Sequence, residues 1–143
     1  MAIFRNEEEV RAFFELFLEK IGKSAEASQA LHNSGLILHF HLLEPEASVK
    51  IDTQSAGSPS GLASSLFFGE EGPQPDLTLE MTAYTLDELW SGKRDIFGAL
   101  ISGKVKISGH MAKASRLVPL LKLIPPIYEE TRFEFEKRKT DEL

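Results

Sequence analysis

Two stretches of the chain place residues that could do chemistry at suggestive spacing. Gly98-Ala99-Leu100-Ile101-Ser102-Gly103-Lys104-Val105 comes within one residue of a phosphate-cradling loop. In such a loop, glycines let backbone N–H groups close on phosphate oxygens. The lysine reaches the outer phosphates, and a following Ser or Thr holds the metal. Val105 has no hydroxyl, and the pattern here runs from helix into strand where the motif needs strand into helix. That reading is rejected. His39 and His41 share one face of an alternating segment, a spacing that could bring two imidazoles to one ion. Two ligands are too few for a zinc site, and no third histidine is near in sequence. They read as polar-face strand residues that bind no metal. His110, after Gly109, reads as a helix-entry residue.

Other catalytic chemistries fail on composition. With no cysteine, disulfides, thiolate metal sites, iron–sulfur clusters and cysteine nucleophiles are excluded. There is no Gly-x-Ser-x-Gly elbow, and no carboxylate stands alone in apolar surroundings where a raised pKa would suit acid–base work. The chain therefore reads as a non-enzyme that needs no cofactor. Ten Phe against two Tyr and one Trp suit a dry interior or a lipid-facing wall, because Phe has no polar tip to satisfy. A net charge of −6 and a pI near 5.2 disfavour nucleic acid and, for the same reason, tight docking to anionic membranes.

No apolar run approaches the ~20 residues of a membrane-spanning helix. Met1–Arg5 followed by three Glu is the opposite of a secretory leader. Thr140-Asp141-Glu142-Leu143 lacks the leading Lys or His of an ER-retention signal, and no Ser-Lys-Leu address is present. The expected location is cytoplasmic.

The elements that must position these residues follow from periodicity. The 143 residues suit one domain, 1–143, burying roughly 68–70% of the unfolded surface. Asn6 followed by Glu7, Glu8 and Glu9 opens a helix whose Val10, Phe13, Phe14, Phe17, Leu18 and Ile21 form one apolar face, ending near Gly22. A short helix from Ser24 to about His32 follows. From Gly35 the period becomes two. Leu36, Leu38, Phe40 and Leu42 face one way, and Val49 with Ile51 continues the pattern after a turn at Glu44-Pro45. A Gly/Ser/Pro loop at 54–61 leads to an edge strand through Leu66–Phe68, and then Leu77, Leu79 and Met81 alternate. Thr85-Leu-Asp-Glu88 is a capping box, Asp95 caps another turn, and Val105 with Ile107 makes a last strand. A helix from Met111 through Leu121 should kink or end at Pro119. Pro125-Pro126 should start a final charged helical segment within a C-terminal extension, 122–143. In that extension Arg132–Glu136 and Glu134–Arg138 pair, so it reads first as a solvated helix or frayed tail, while Ile127, Phe133 and Phe135 leave room for docking over an opening. The fold class is α+β.

Pro75-Asp-Leu-Thr-Leu-Glu-Met-Thr82, Thr85-Leu-Asp-Glu-Leu-Trp-Ser-Gly-Lys93, Asp95-Ile-Phe-Gly-Ala-Leu100 and Gly103-Lys-Val-Lys-Ile-Ser-Gly-His-Met111 together resemble the sterol carrier protein type-two family, in order and in spacing. The likeness is strongest over about 75–121 and looser over 36–53 and the N-terminal helices. It implies a five-stranded, mainly antiparallel sheet covered on one face by about five helices, with an apolar tunnel between. It also implies binding of fatty acids, fatty acyl-CoAs, sterols or other lipids. The expected lining is Leu79 and Met81 from the sheet, and Leu86, Leu89, Trp90, Phe97, Leu100, Ile101, Met111, Leu117 and Leu121 from the helices. The leading expectation is binding, and transfer, of a long-chain lipid without covalent chemistry or stable membrane insertion. The alternative is an accessory module for a partner enzyme of lipid or quinone metabolism. An acyl-thioester enzyme would require a buried carboxylate–His pair.

Overall fold

The computed structural model describes residues 3–55 and 66–141; most of the Gly/Ser/Pro loop and the last two residues lie outside them. The Asn6 side chain accepts the Glu9 N–H at 3.0 Å and opens α1 (Glu7–Gly22), with three glutamates at the positive end of its dipole. The face set by three- and four-residue spacing is the buried one, with Leu16 added. Ser24 caps α2 (Ala25–Ser34), which runs two residues past His32. The Ser34 hydroxyl donates to the Leu31 carbonyl at 2.7 Å, and Gly35 closes the helix in the left-handed region.

Five strands form one sheet in the order β3-β2-β1-β4-β5: β1 (Ile37–Leu43), β2 (Ala47–Asp52), β3 (Leu66–Phe68), β4 (Leu77–Thr82) and β5 (Lys106–Gly109). A 3₁₀ turn, Thr53–Ser55, follows β2. β1 and β4 are parallel, with Phe40 opposite Leu79, and the other three pairings are antiparallel. Period-two alternation buries Leu38, Phe40, Leu42, Val49, Ile51, Leu77, Leu79 and Met81 on one face. The other face carries half-buried His39, His41, Lys50, Thr78 and Glu80. Gly109 is required by close approach: its φ is +110°, and a Cβ there would run into the Asp76 carbonyl.

The parallel pairing is anchored by Asp76, whose carboxylate accepts the Lys113 ammonium at 2.9 Å and the Ile37 N–H at 2.8 Å. Those two bonds hold its pKa below the ordinary carboxylate value, Lys113 first. Asp76→Ala should cost about 1–3 kcal/mol at neutral pH, because two donors lose their acceptor. The carboxylate's contribution is full above about pH 4 and fades as pH falls through its depressed folded value. Urea unfolding at neutral and acid pH should show the wild-type advantage shrinking in acid, and a constant gap would refute this role.

The helices beyond β4 correct several expectations. Thr82, not Thr85, caps α3 (Ala83–Trp90), accepting the Thr85 N–H at 3.1 Å. The strand runs directly into the helix, so the helix opens three residues early and Thr85 is buried in its first turn. Asp95 caps α4 (Ile96–Ile101) as expected. Val105 is buried but precedes β5. Met111–Leu117 forms 3₁₀ turns with no buried residue, and α5 then runs unbroken over Val118–Asp141. Pro119 neither kinks nor ends a helix. It lies in the first turn of α5, where its missing N–H would have no helical partner. Pro125 and Pro126 lie inside α5 rather than starting a segment, each removing one donor. No described helix is long and apolar enough to cross a membrane.

Candidate functional site

The apolar face of the sheet looks onto α1, α3 and α5, and the layer between them is aromatic. Phe14 stands 5.9 Å from Phe40 of β1, and Phe40 meets Trp90 of α3 edge-on at 5.3 Å. Trp90 lies 4.9 Å from Phe17 and 5.7 Å from Tyr128 of α5. Phe13 contacts Tyr128 and Phe135, each at 5.5 Å, and Phe4 at 5.2 Å. Each ring gains dispersion and edge-to-face contact beyond its buried area. Rings thus occupy the centre of the layer where the resemblance implies a tunnel.

One polar corner interrupts this layer. The Tyr128 hydroxyl donates to the Asp87 carboxylate in a short hydrogen bond, and the Arg132 guanidinium lies 3.7 Å from the same oxygen. Burial first, then the bond to Asp87, pushes the Tyr128 phenol far above its ordinary pKa, so it stays a donor. Arg132 pairs with Glu136 at 3.0 Å, and its charge lies 5.8 and 6.0 Å from the Phe4 and Phe13 ring centroids. Farther along, Lys20 of α1 reaches Glu130 and Glu134 of α5 at 3.2 and 3.3 Å, and Lys139 reaches Glu9 at 3.4 Å. Burial alone would lower the Lys20 pKa, but the two carboxylates outweigh it and raise it. α5 is therefore fastened across the aromatic layer by both rings and ion pairs.

The eleven residues expected to line a cavity divide into three groups. Leu79, Met81, Leu86, Leu89 and Trp90 are buried in the layer. Leu100 and Leu117 are half-buried against the core, and Leu121, also half-buried, lines a surface cleft with Leu89 and Ile96. Phe97, Ile101 and Met111 face solvent, at 61%, 88% and 55% exposure, and do not border the interior. The physical reason is that α4 has six residues and buries Ala99 alone, while Met111 opens a turn that buries nothing. In the C-terminal extension, Phe135 is buried, Ile127 is half-buried and Phe133 is 74% exposed. Sequence reasoning missed Tyr128 and its link to Asp87. The signal was the 128/131/135 spacing of Tyr128, Thr131 and Phe135 within a charged helix, all three of them buried.

On the opposite face of the sheet, His39 contacts Thr78 Oγ1 at 3.2 Å and Ser48 Oγ at 2.6 Å, and His41 contacts Glu80 at 2.9 Å. Burial, then Lys50 and His41, lowers the His39 pKa, which favours the neutral ring. Among the described residues no group of three or more His, Asp or Glu side chains could hold a metal ion. These strand neighbours account for both imidazoles.

The sequence profile of the SCP-2 sterol transfer family matches residues 14–122, and the chain belongs to that family. No curated protein sequence matches it significantly. Solved structures share the fold. The sterol carrier protein domain 2 of Helicoverpa armigera superposes with a TM-score of 0.64 at 22% identity, covering 82% of this chain and 89% of that one. The apo sterol carrier protein 2 of Yarrowia lipolytica gives 0.59 at 18% identity, covering 78% and 88%. A structure titled UbiJ-SCP2, a ubiquinone synthesis protein, gives 0.52 at 18% identity, covering 76% and 89%. The family match ends at residue 122, so Tyr128, Thr131 and Phe135 lie beyond it.

Proposed function

We propose that the chain binds a long-chain lipid (a fatty acid, fatty acyl-CoA, sterol-like or isoprenoid lipid) between its sheet and helices, and passes it on without covalent chemistry. The observation that carries this reading is the buried aromatic layer around Trp90, covered by α5. Such a layer offers a lipid about 0.8 kcal/mol for each CH₂ it buries, with little demand for polar anchoring. Leu79, Met81, Leu86, Leu89, Trp90 and half-buried Leu117 supply the wall. The ligand enters by displacing the part of α5 that carries Tyr128, so the extension acts as a cover.

Trp90 is the single tryptophan, and its indole contacts Phe14, Phe17, Phe40 and Tyr128. A long-chain fatty acid or acyl-CoA should therefore change its emission saturably. Leu117→Glu should abolish that change and leave the protein folded, because a charge at the wall opposes ligand burial. Native mass spectrometry of the freshly purified protein should show retained lipid. The reading fails if no lipid class moves Trp90 emission and no lipid copurifies. The likeness to the ubiquinone synthesis protein supports the accessory-module reading, which a stoichiometric partner recovered without lipid would favour.

A further inference from the structure

Between residues 93 and 122 lie seven of the sixteen Lys and Arg but one of the twenty-two acids. This stretch carries a local charge of +6 in a chain of net −6, which leaves −12 on the remainder. The same stretch holds four of the six large apolar side chains exposed among the described residues: Phe97, Ile101, Met111 and Val118. Phe97 and Ile101, one turn apart, share the outward side of α4. The start of α5 meets the start of α4 there, since Leu121 lines one cleft with Lys93, Arg94 and Ile96. Arg94 and Lys113 are engaged by Glu88 and Asp76, whereas Lys93, Lys104 and Lys122 are exposed and form no ion pair among the described residues.

Exposed Phe and Ile beside unpaired lysines are a poor surface for water and a good one for an anionic bilayer. The cations attract lipid phosphates across a Debye length, and the apolar tips enter the boundary between headgroups and acyl chains. We propose that the chain docks peripherally on an anionic lipid bilayer through Phe97 and Ile101, framed by Lys93, Lys104 and Lys122. The net charge of −6, which disfavours docking of the molecule taken as a whole, is unevenly placed. All its acids but Asp95 lie outside the stretch, so repulsion turns the rest of the molecule away and fixes the docked orientation. The surface is distinct from the aromatic layer, and docking stands apart from lipid binding inside it.

Co-sedimentation at low salt should show binding to vesicles of phosphatidylcholine mixed with phosphatidylglycerol, little binding to phosphatidylcholine alone, and release as salt rises. K93E/K122E should weaken the partition at least about ten-fold, and F97S/I101S should weaken it comparably. All four side chains are exposed or line the surface, so thermal midpoints should stay unchanged. The response of Trp90 to free fatty acid without vesicles should survive in both variants, which separates failure of docking from failure of the lipid-binding reading. Absence of wild-type binding to the mixed vesicles, or binding that either variant leaves intact, overturns the proposal. So does loss of a self-associated species in the variants, measured by sedimentation velocity, where vesicles do not bind; the patch is then a protein interface.

Discussion

Phe17→Ala should lower stability by about 3–5 kcal/mol, the usual cost of deleting a fully buried aromatic ring. The Phe17 side chain is 1% exposed and touches rings on three other turns or elements: Trp90 at 4.9 Å, Tyr128 at 5.9 Å and Phe13 at 6.0 Å. Those neighbours are themselves held. Trp90 is packed by Phe40 from the sheet, and Tyr128 is bonded to Asp87. The site therefore cannot collapse easily into the vacated volume, which places the cost toward the upper end of that range. For a domain of this size the loss corresponds to a drop in Tm of roughly 10–20 °C. A calorimetric midpoint unmoved by the substitution would refute the burial of α1 against α3 and α5.

The α1 face was legible because it is local: Val10, Phe13, Phe14, Phe17, Leu18 and Ile21 recur with the helical period, and Leu16 alone is buried beyond that set. The strand faces were legible for the same reason, since a one-residue slip would turn His39 and His41 inward and Leu38 and Phe40 outward. Cap choice was not. Thr82 and Thr85 both stand three residues before a usable partner, and only the place where β4 stops being paired decides between them. The side chains of α4 were not legible either, because six residues are too few for periodicity to fix which side faces in. α5 was the hardest element. Its buried Leu120, Tyr128, Thr131 and Phe135 are scattered among charges, and their burial is decided by Lys20, Glu9 and the rings of α1, more than a hundred residues away in sequence.

Tyr128→Ala should destabilise the empty protein and strengthen its hold on lipid. The ring is 1% exposed among Phe13, Phe17 and Trp90, so its removal should cost about 3–5 kcal/mol. Asp87 keeps some solvent contact, with 21% of its side chain exposed, and can be rehydrated when its donor is lost. Native domains have about 5–15 kcal/mol in hand, so the variant should remain folded at room temperature. If α5 covers the lipid site as proposed, a lipid chain enters the wild type only after the Tyr128 ring has left. Apparent affinity is therefore reduced by the fraction of molecules in which it is out. In the variant the ring's space, walled by Phe13, Phe17 and Trp90, is already open, and an apolar void of that kind takes apolar guests while Asp87 at its rim turns to water. A fatty acid in fixed excess should thus raise the variant's Tm by more than it raises the wild type's. A hundred-fold gain in affinity corresponds to about 2.7 kcal/mol of added stabilisation at saturating ligand. Tyr128→Phe is the control. It keeps the ring, loses one hydrogen bond at about 0.5–1.5 kcal/mol, and should show a wild-type response to lipid. If the lipid-induced shift of Tyr128→Ala is equal to or smaller than that of the wild type, α5 and the ligand do not compete for one space, and the covering role of the C-terminal helix is wrong.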